Sequence, residues 1–319
     1  MTTPVVIEAR TLGRSDVLAP RISLGCGNFG GIGSAPQFFG AGVDETEAFA
    51  IMDTAWELGI RHFDTADAYG GGRSETTIGN WIRSRGELPL LTTKTYNPMY
   101  AGADHGLAPD RIERQLHSSL ERLGIEHVDL YLTHEFDPDV APALVVETLD
   151  RLCAQGLIRA TGVSNYDARQ LRATLAAGQV DAIQNSFSLL VRGDETELLP
   201  LCAREQVFYS VYSPLAGGWL TGKYRRGEPF PTGSRMTQRP EGYAAFVDEA
   251  IFDALEALEA NAAARGISMA GLALSWLLGE PRLGAIAVGP MRPEHLAPVR
   301  EALEHPLGGA ERAAIGALF

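Results

Sequence analysis

Hydrophobic and polar positions along the chain follow two alternating patterns. Short apolar, β-branched runs predict eight strands, at 21–26, 60–66, 88–95, 128–134, 157–164, 180–186, 207–213 and 283–289. Several of these runs are continuously apolar, which is typical of parallel strands that are covered on both faces. Segments of helical pattern between them predict eight helices, at 45–58, 75–85, 110–122, 142–155, 168–177, 195–206, 268–279 and 293–303.

Capping signals support two of these helices. Asp44 with Glu47, and Asp167 with Gln170, have the spacing of a capping box, in which each side chain bonds the backbone N–H of the other residue. Strands that alternate with helices predict a parallel sheet, and eight strands are the number that closes a (β/α)8 TIM barrel. The expected fold class is therefore α/β.

The chain has 319 residues, more than the roughly 250 that such a barrel typically needs. We expect one barrel domain over 1–319, with 1–20 as an N-terminal cap and 304–319 as a C-terminal tail or extra helix. The other surplus segments, 27–43 and 214–245, follow the first and seventh strands. Because barrel enzymes keep their active sites at the C-terminal ends of the strands, these two segments are expected to be long rim loops beside a site.

A glycine motif after the first strand offers a different interpretation. Residues 25–30, GCGNFG, match the Gly-x-Gly-x-x-Gly fingerprint of Rossmann folds. In that fold the motif opens directly into a helix. Here it is followed by GIGSAPQFFGAG, whose glycines and proline disfavour a helix. The sequence therefore favours the barrel.

Composition and charge disfavour several classes of function. The formal net charge is −13 and the Lys and Arg residues are scattered, which argues against nucleic acid or an anionic membrane as the main partner. No apolar stretch reaches the ~18 residues of a membrane span, and MTTPVVIEAR lacks the features of a secretory signal. The cysteines, Cys26, Cys153 and Cys202, are far apart, so we expect no metal site and a reduced, cytoplasmic protein.

Four ionisable side chains stand at the ends of three consecutive predicted strands. Asp64 ends the second strand and Tyr69 follows in its loop, while Lys94 and His134 end the third and fourth strands. Because all strands of a barrel end at the same rim, these side chains are expected to converge. Each of them alone has an ordinary structural explanation, but together they favour an active site.

This set of residue types is suited to proton delivery. A nearby lysine ammonium favours the phenolate and is expected to lower the tyrosine pKa from about 10. The aspartate pairs with the lysine, and the histidine can donate a hydrogen bond to a substrate carbonyl or share the proton of the tyrosine. Such an acid protonates an oxygen on which negative charge develops. Because the sequence offers no activated serine or cysteine and no metal cluster, we expect a hydride cofactor.

Several sequence blocks resemble the aldo-keto reductase superfamily of NAD(P)H-dependent (β/α)8-barrel oxidoreductases. GIRHFDTADAYGGGRSETTIG, starting at residue 59, resembles the first family signature, and GVSNY, QNSFSLL and YSPLAGGWLTGKY resemble further blocks. The blocks follow in order over nearly the whole chain. The resemblance implies that Tyr69 is the general acid and that Asp64, Lys94 and His134 complete a catalytic tetrad.

The resemblance also implies cofactor contacts at the later strand ends. Ser164, Asn165 and Gln184 are similar to the residues that hold the nicotinamide carboxamide, since an amide offers matched donors and acceptors. Tyr212 is similar to the tyrosine that stacks under the nicotinamide ring, and the following turn to the loop over the pyrophosphate, where glycines let backbone N–H groups approach. The remaining implied contacts are Ser213, Leu215, Gly217, Gly289, Arg292 and His295.

The segment after the eighth strand departs from the family pattern. Many members carry a Gln or Arg that binds the adenosine phosphate, then a Glu and an Asn that hold the adenine. Here His295, Pro298 and Val299 occupy these positions. Arg292 remains nearby, where it can meet a 2′-phosphate, although a solvated surface arginine is an equally good interpretation. Because members of the family commonly use NADPH and because Arg292 is present, we expect NADPH as the cofactor, with NADH as the alternative.

Rim loops are expected to determine the substrate. Their aromatic side chains favour a substrate with an apolar or ring-shaped body beside its carbonyl group. The expected pocket residues are Phe29, Phe38, Tyr96, Phe136 and Trp219, extended by Phe39, Met99 and Tyr100.

Together these features predict the NADPH-dependent reduction of a small aldehyde or ketone. Two alternatives on the same fold are a sugar dehydrogenase and a ketoreductase for nucleotide-linked sugars. An alternative from another class is a regulatory protein that binds a nicotinamide nucleotide as a redox signal. No oligomeric state is predicted.

Overall fold

Eight parallel strands close into a barrel in this computed structural model, which describes residues 6–319. The first five residues of the expected N-terminal cap lie outside the described residues. A hairpin precedes the barrel. The strands are β1 (Ala9–Thr11) and β2 (Leu18–Pro20) of the hairpin, then β3 (Ile22–Gly25), β4 (His62–Asp64), β5 (Leu90–Thr95), β6 (Val128–Thr133), β7 (Ile158–Ser164), β8 (Ala182–Ser186), β9 (Phe208–Tyr212) and β10 (Leu283–Val288).

Helices surround the barrel, and those that follow strands β4 to β8 are single. The α-helices of the described residues are α1 (Glu45–Leu58), α2 (Arg73–Arg85), α3 (Pro109–Leu123), α4 (Pro142–Ala154), α5 (Ala168–Ala177), α6 (Leu198–Glu205), α7 (Arg235–Gln238), α8 (Glu249–Ala264), α9 (Met269–Leu278), α10 (Ala297–Glu304) and α11 (Gly309–Gly316). The predicted (β/α)8 barrel is confirmed, and all eight predicted strands overlap strands of the barrel. None of the described helices is long and apolar enough to cross a membrane.

The hairpin closes the N-terminal end of the barrel. Leu12 and Val17, next to the hairpin strands, are buried together with side chains that fill the barrel interior, such as Leu130 and Phe208. Arg10 donates from Nη1 to the backbone oxygens of Pro281 and Leu283, at 2.6 and 2.9 Å. This end of the barrel is therefore filled with side chains, and the opposite rim remains for a site.

Local sequence explains where the helices begin. Both predicted capping boxes are present: Asp44 Oδ1 accepts from Glu47 N at 2.9 Å, and Asp167 Oδ1 accepts from Gln170 N at 2.7 Å. The helix predicted at 293–303 differs, because it begins as a 3₁₀ turn over Pro293–Leu296 before α10.

The eight predicted helices do not include α8. It begins at Asp248, whose side chain accepts from Ala250 N, and it buries Phe252, Leu255 and Leu258 against the core. The alternating pattern predicts one helix after each strand, and the helix predicted at 268–279, which corresponds to α9, takes that place after β9. The buried positions of α8 have helical spacing, but a prediction of one helix per strand leaves no place for a second helix between β9 and β10.

Candidate active site

A buried ion pair connects the ends of β4 and β5. Lys94 Nζ donates to Asp64 Oδ1 at 2.6 Å and to the backbone oxygen of Thr65 at 2.8 Å. The other carboxylate oxygen, Asp64 Oδ2, accepts from Gln184 Nε2 at 2.7 Å. The side chains of Lys94 and Asp64 are 1% and 6% exposed, so each charge is stabilised mainly by the other charge and little by solvation.

Tyr69 and His134 lie against this ion pair. Tyr69 begins a 3₁₀ turn in the loop after β4, and His134 follows β6. Lys94 Nζ lies 5.1 Å from the centre of the Tyr69 ring, and the Tyr69 and His134 rings meet edge to face at 5.4 Å. The structure therefore brings all four side chains of the expected tetrad together at the C-terminal rim of the barrel.

The protonation states in this cluster are set by burial and by Lys94. Burial raises the pKa of Tyr69, and the opposing effect of Lys94 is smaller, so the net direction is upward. Lys94 thus acts in the predicted direction, but the expected net lowering of this pKa is wrong, because desolvation of the phenolate outweighs the attraction. Burial, followed by repulsion from Lys94, lowers the pKa of His134 to about 3.

Lys94 itself remains charged. Burial acts to lower the pKa of Lys94, but attraction to Asp64 and Tyr69 outweighs it, so the pKa is raised above its ordinary value. At neutral pH the cluster thus holds a protonated phenol, a neutral imidazole and an ammonium paired with a carboxylate. This arrangement can release a proton from Tyr69 while Lys94 stabilises the phenolate that remains.

A second polar group occupies the ends of β7, β8 and β9. Asn165 Nδ2 donates to the backbone oxygen of His134 at 2.9 Å and to Glu135 Oε1 at 3.1 Å, and Tyr212 Oη donates to Asn165 Oδ1 at 2.6 Å. Ser164 Oγ donates to the backbone oxygen of Gln184 at 2.7 Å. These expected nicotinamide contacts are thus adjacent to one another, and Gln184 joins them to the tetrad through Asp64.

The backbone at these strand ends is unusual. Asn165, Ser213 and Ala216 have φ angles of 59°, 53° and 48°, in the left-handed region that non-glycine residues rarely adopt. Gly217 and Gly218 continue the turn with φ angles of 64° and 95°. Residues held in such conformations concentrate at ligand-binding sites, so the turn after β9 is a candidate for close approach of a ligand to the backbone.

Cationic side chains lie along the segments after β9 and β10. Arg235 Nη2 donates to Asn28 Oδ1 at 2.8 Å, and Asn28 Nδ2 donates to the backbone oxygen of Gly289 at 3.3 Å. Burial, followed by repulsion from Arg235, lowers the pKa of Lys223, so the two cations are close. Neither cation is among the site residues expected from the sequence. Lys223 stands inside the quoted block YSPLAGGWLTGKY, whereas nothing in the sequence marks Arg235.

Arg292 and His295 are exposed next to these cations. His295 Nδ1 accepts from Met291 N at 3.3 Å, which holds the ring against its own turn. Burial lowers the pKa of His295; Glu294 acts to raise it, and Arg292 and Lys223 act to lower it further. The expected adenosine-phosphate contacts therefore lie near two cations, Arg292 and Lys223, and one carboxylate, Glu294.

The expected aromatic pocket is only partly present. Phe38, Tyr96 and Phe136 are partly exposed on the rim segments after β3, β5 and β6. Phe29 and Trp219 are 0% exposed, so both belong to the core and line no open surface. Trp219 packs against the surrounding aromatic rings of Tyr224, Phe230, Phe246 and Phe252, which explains why the prediction for it is wrong.

Comparison with known proteins identifies this architecture. Residues 21–318 match the sequence profile of the Aldo/keto reductase family. The chain belongs to the aldo/keto reductase family. The expected family membership is thus confirmed across nearly the whole chain.

Several relatives of this aldo/keto reductase have names that state an activity. An NADH-specific methylglyoxal reductase of Escherichia coli (strain K12) is 32% identical over 304 residues, covering 89% of this chain and 90% of that protein. The NADP(+) aldo-keto reductase yakc of Schizosaccharomyces pombe is 30% identical over 285 residues, covering 86% and 80%. The solved structure of a glycerol dehydrogenase from Gluconobacter oxydans superposes with a TM-score of 0.84 at 24% identity, covering 98% and 94%, which supports the fold.

This aldo/keto reductase is an NAD(P)H-dependent oxidoreductase. Its described residues fit the cofactor of the family. Amide and hydroxyl groups meet at the ends of β7 and β8, a turn with left-handed backbone follows β9, and Lys223 and Arg235 supply positive charge beyond that turn. No group of three or more His, Cys, Asp or Glu side chains that could hold a metal ion occurs among the described residues.

Proposed function

We propose that the protein reduces an aldehyde or ketone to an alcohol with NADPH, and that Tyr69 donates the proton. The observation that carries this proposal is the position of Tyr69 between the Lys94–Asp64 ion pair and His134. Tyr69 is protonated at neutral pH, and the nearby Lys94, which opposes the rise of its pKa by burial, favours release of that proton to the substrate.

The residues of the tetrad divide the work of this proton transfer. Tyr69 Oη gives its proton to the carbonyl oxygen of the substrate as negative charge develops there. Lys94 stabilises the phenolate that remains, and Asp64 keeps Lys94 charged and in place. His134, neutral at pH 7, donates a hydrogen bond from its ring that orients the carbonyl group. A bound nicotinamide supplies the hydride that the carbonyl carbon receives.

The cofactor contacts follow the same strand ends. We assign Ser164, Asn165 and Gln184 to the nicotinamide carboxamide, and Tyr212 to the face of its ring. The backbone N–H groups of the turn after β9 would hold the pyrophosphate, and the left-handed conformation of the turn supports this assignment because it permits close approach. The proposed contacts on both sides of the phosphates are Ser213, Leu215, Gly217, Gly289, Lys223, Arg235, Arg292 and His295.

The preference for NADPH rests on Arg292 and has a direct test. We expect Arg292→Ala to weaken the binding of NADPH by about tenfold or more and that of NADH little, because the exposed guanidinium meets only the 2′-phosphate. Dissociation constants from calorimetric titration measure both effects. Lys223→Ala is the matched control, since it should weaken both nucleotides by similar factors through the shared pyrophosphate. Equal effects of Arg292→Ala on the two nucleotides would contradict the contact with the 2′-phosphate and would mean that Arg292 is an ordinary solvated surface residue.

Substrates are tested with a panel of aldehydes, ketones, sugars and alcohols. Each compound is assayed with NADPH and NADH, or with their oxidised forms, while the absorbance of the reduced nicotinamide is followed. The partly exposed Phe38, Tyr96 and Phe136 favour carbonyl compounds with an apolar or ring-shaped body. Turnover of sugars alone, in the oxidative direction, would favour the sugar dehydrogenase over the carbonyl reductase.

The regulatory alternative predicts a different outcome of the same panel. A protein that only senses nicotinamide nucleotides binds them tightly and turns over none of the compounds. The assembled tetrad argues against this, because pure binding does not require a buried Lys94–Asp64 pair beside Tyr69. A cytoplasmic location stays a prediction.

A further inference from the structure

Glu135 lies beside the proposed nicotinamide contacts. It follows His134 at the end of β6, and its side chain is partly buried. Glu135 Oε1 accepts from Asn165 Nδ2 at 3.1 Å, and Asn165 Oδ1 accepts from Tyr212 Oη at 2.6 Å. The Glu135 carboxylate is therefore hydrogen-bonded directly to Asn165, the proposed carboxamide contact. It is connected through Asn165 to Tyr212, the proposed contact of the nicotinamide ring.

The charge of Glu135 acts on this region. Burial raises the pKa of Tyr212 well above its ordinary value, and Glu135 is the largest electrostatic contributor to that rise. Among the described residues, no Lys, Arg or His nitrogen forms an ion pair with Glu135 within 4 Å, whereas Asp64 is paired with Lys94. The field of Glu135 at the end of β9 is thus not cancelled by an adjacent cation, and partial burial limits its screening by water.

We propose that Glu135 makes this site prefer the oxidised nicotinamide over the reduced one. The oxidised ring carries a positive charge and the reduced ring is neutral, so an unpaired carboxylate beside Asn165 and Tyr212 attracts only the oxidised form. This inference rests on the proposed function, because it assumes that the nicotinamide binds at Asn165 and Tyr212. Tighter binding of the oxidised form also favours reduction of the carbonyl compound while both molecules are bound.

The test compares the affinities of the two redox forms. Glu135→Gln removes the charge, and its amide oxygen can still accept from Asn165 Nδ2. Dissociation constants are measured by isothermal titration calorimetry with NADP+ and NADPH, and again with NAD+ and NADH, without substrate. We expect the ratio of the oxidised to the reduced dissociation constant to rise by about tenfold in Glu135→Gln, mainly because the oxidised form binds less tightly.

Asp139→Asn is the matched control. It removes the same charge from the same rim segment, but Asp139 is exposed and its field is screened by solvent, so the ratio should stay within about twofold of that of the wild type. An unchanged ratio in Glu135→Gln would overturn the inference. Equal weakening of the binding of both redox forms would also overturn it, because it would show that Glu135 only positions Asn165. If the wild type binds neither form, the proposed function fails as well.

A pH series adds a second readout. Burial raises the pKa of Glu135 to about 6, so the ratio in the wild type should move toward that of Glu135→Gln as the pH falls from about 7.5 to 5.5. The 2′-phosphate of the NADP pair also titrates near 6, but it does so in both redox forms and cancels in the ratio. A ratio that does not depend on pH in the wild type would contradict the assignment.

The histidine and the tyrosines around Glu135 do not change charge in this interval. The pKa of His134 is lowered to about 3, and burial raises that of Tyr166 to about 12 and that of Tyr96 above its ordinary value. Asp137 accepts hydrogen bonds from the backbone of Leu107 and Asp139. The groups that face Glu135 are His134 and Asp137 on its own segment, Tyr96 after β5, Tyr166 after β7 and Tyr212 at the end of β9.

Discussion

Replacing Tyr69 with Phe is expected to reduce kcat by about 10²- to 10⁴-fold, the usual contribution of a general acid. The phenyl ring keeps its edge-to-face contact with His134, and only the hydroxyl group that donates the proton is lost. Binding of nicotinamide nucleotides should stay nearly unchanged, since the proposed carboxamide contacts lie at the ends of β7 and β8. Steady-state kinetics and calorimetric titration of the nucleotide measure the two effects separately.

Tyr166→Phe provides the matched control for this substitution. Tyr166 is also buried and also loses one hydroxyl group, which accepts a hydrogen bond from Thr133 Oγ1 at 3.1 Å. It lies outside the tetrad, so its kcat should remain within a few-fold of the wild type. Full turnover in Tyr69→Phe would remove the proton-donor assignment. A parallel loss of turnover and nucleotide binding would mean that Tyr69 supports the site structurally instead.

The convergence of the tetrad follows from the sequence because parallel strands have only one C-terminal rim. Asp64, Lys94 and His134 each stand at the end of an apolar run, so the topology alone brings them to the same place. The direction of the Tyr69 pKa does not follow in the same way. It depends on the balance between desolvation and the attraction of Lys94, and that balance requires the depth of burial as well as the residue types.

The rim segments are harder to predict because their packing is not periodic. Trp219 in the turn after β9 has the sequence context of a pocket residue. It packs instead into an aromatic cluster that includes Phe252, a residue of α8, and α8 was not predicted. The positions of Arg235 and Glu135 depend on contacts with Asn28 and Asn165, which are distant along the chain. Residue types alone do not mark such contacts.

Replacing Lys94 with Met is expected to lower the free energy of unfolding by about 3–5 kcal/mol, the usual cost of breaking a buried ion pair. Asp64 would then be a buried carboxylate whose remaining side-chain partner is Gln184 Nε2, a neutral donor. Unfolding in guanidinium chloride, followed by circular dichroism, measures the change from the shift of the midpoint.

The double substitution Asp64→Asn with Lys94→Met separates the charge effect from the loss of packing. Both charges are then absent, and the free energy of unfolding should recover part of what Lys94→Met alone loses, so the two effects are not additive. Additive losses would mean that the ion pair contributes no coupling. Catalysis should not recover in the double variant, because the phenolate of Tyr69 would still lack the ammonium that lies 5.1 Å from its ring. Stability and turnover therefore respond differently, which distinguishes the structural role of the pair from its role in proton transfer.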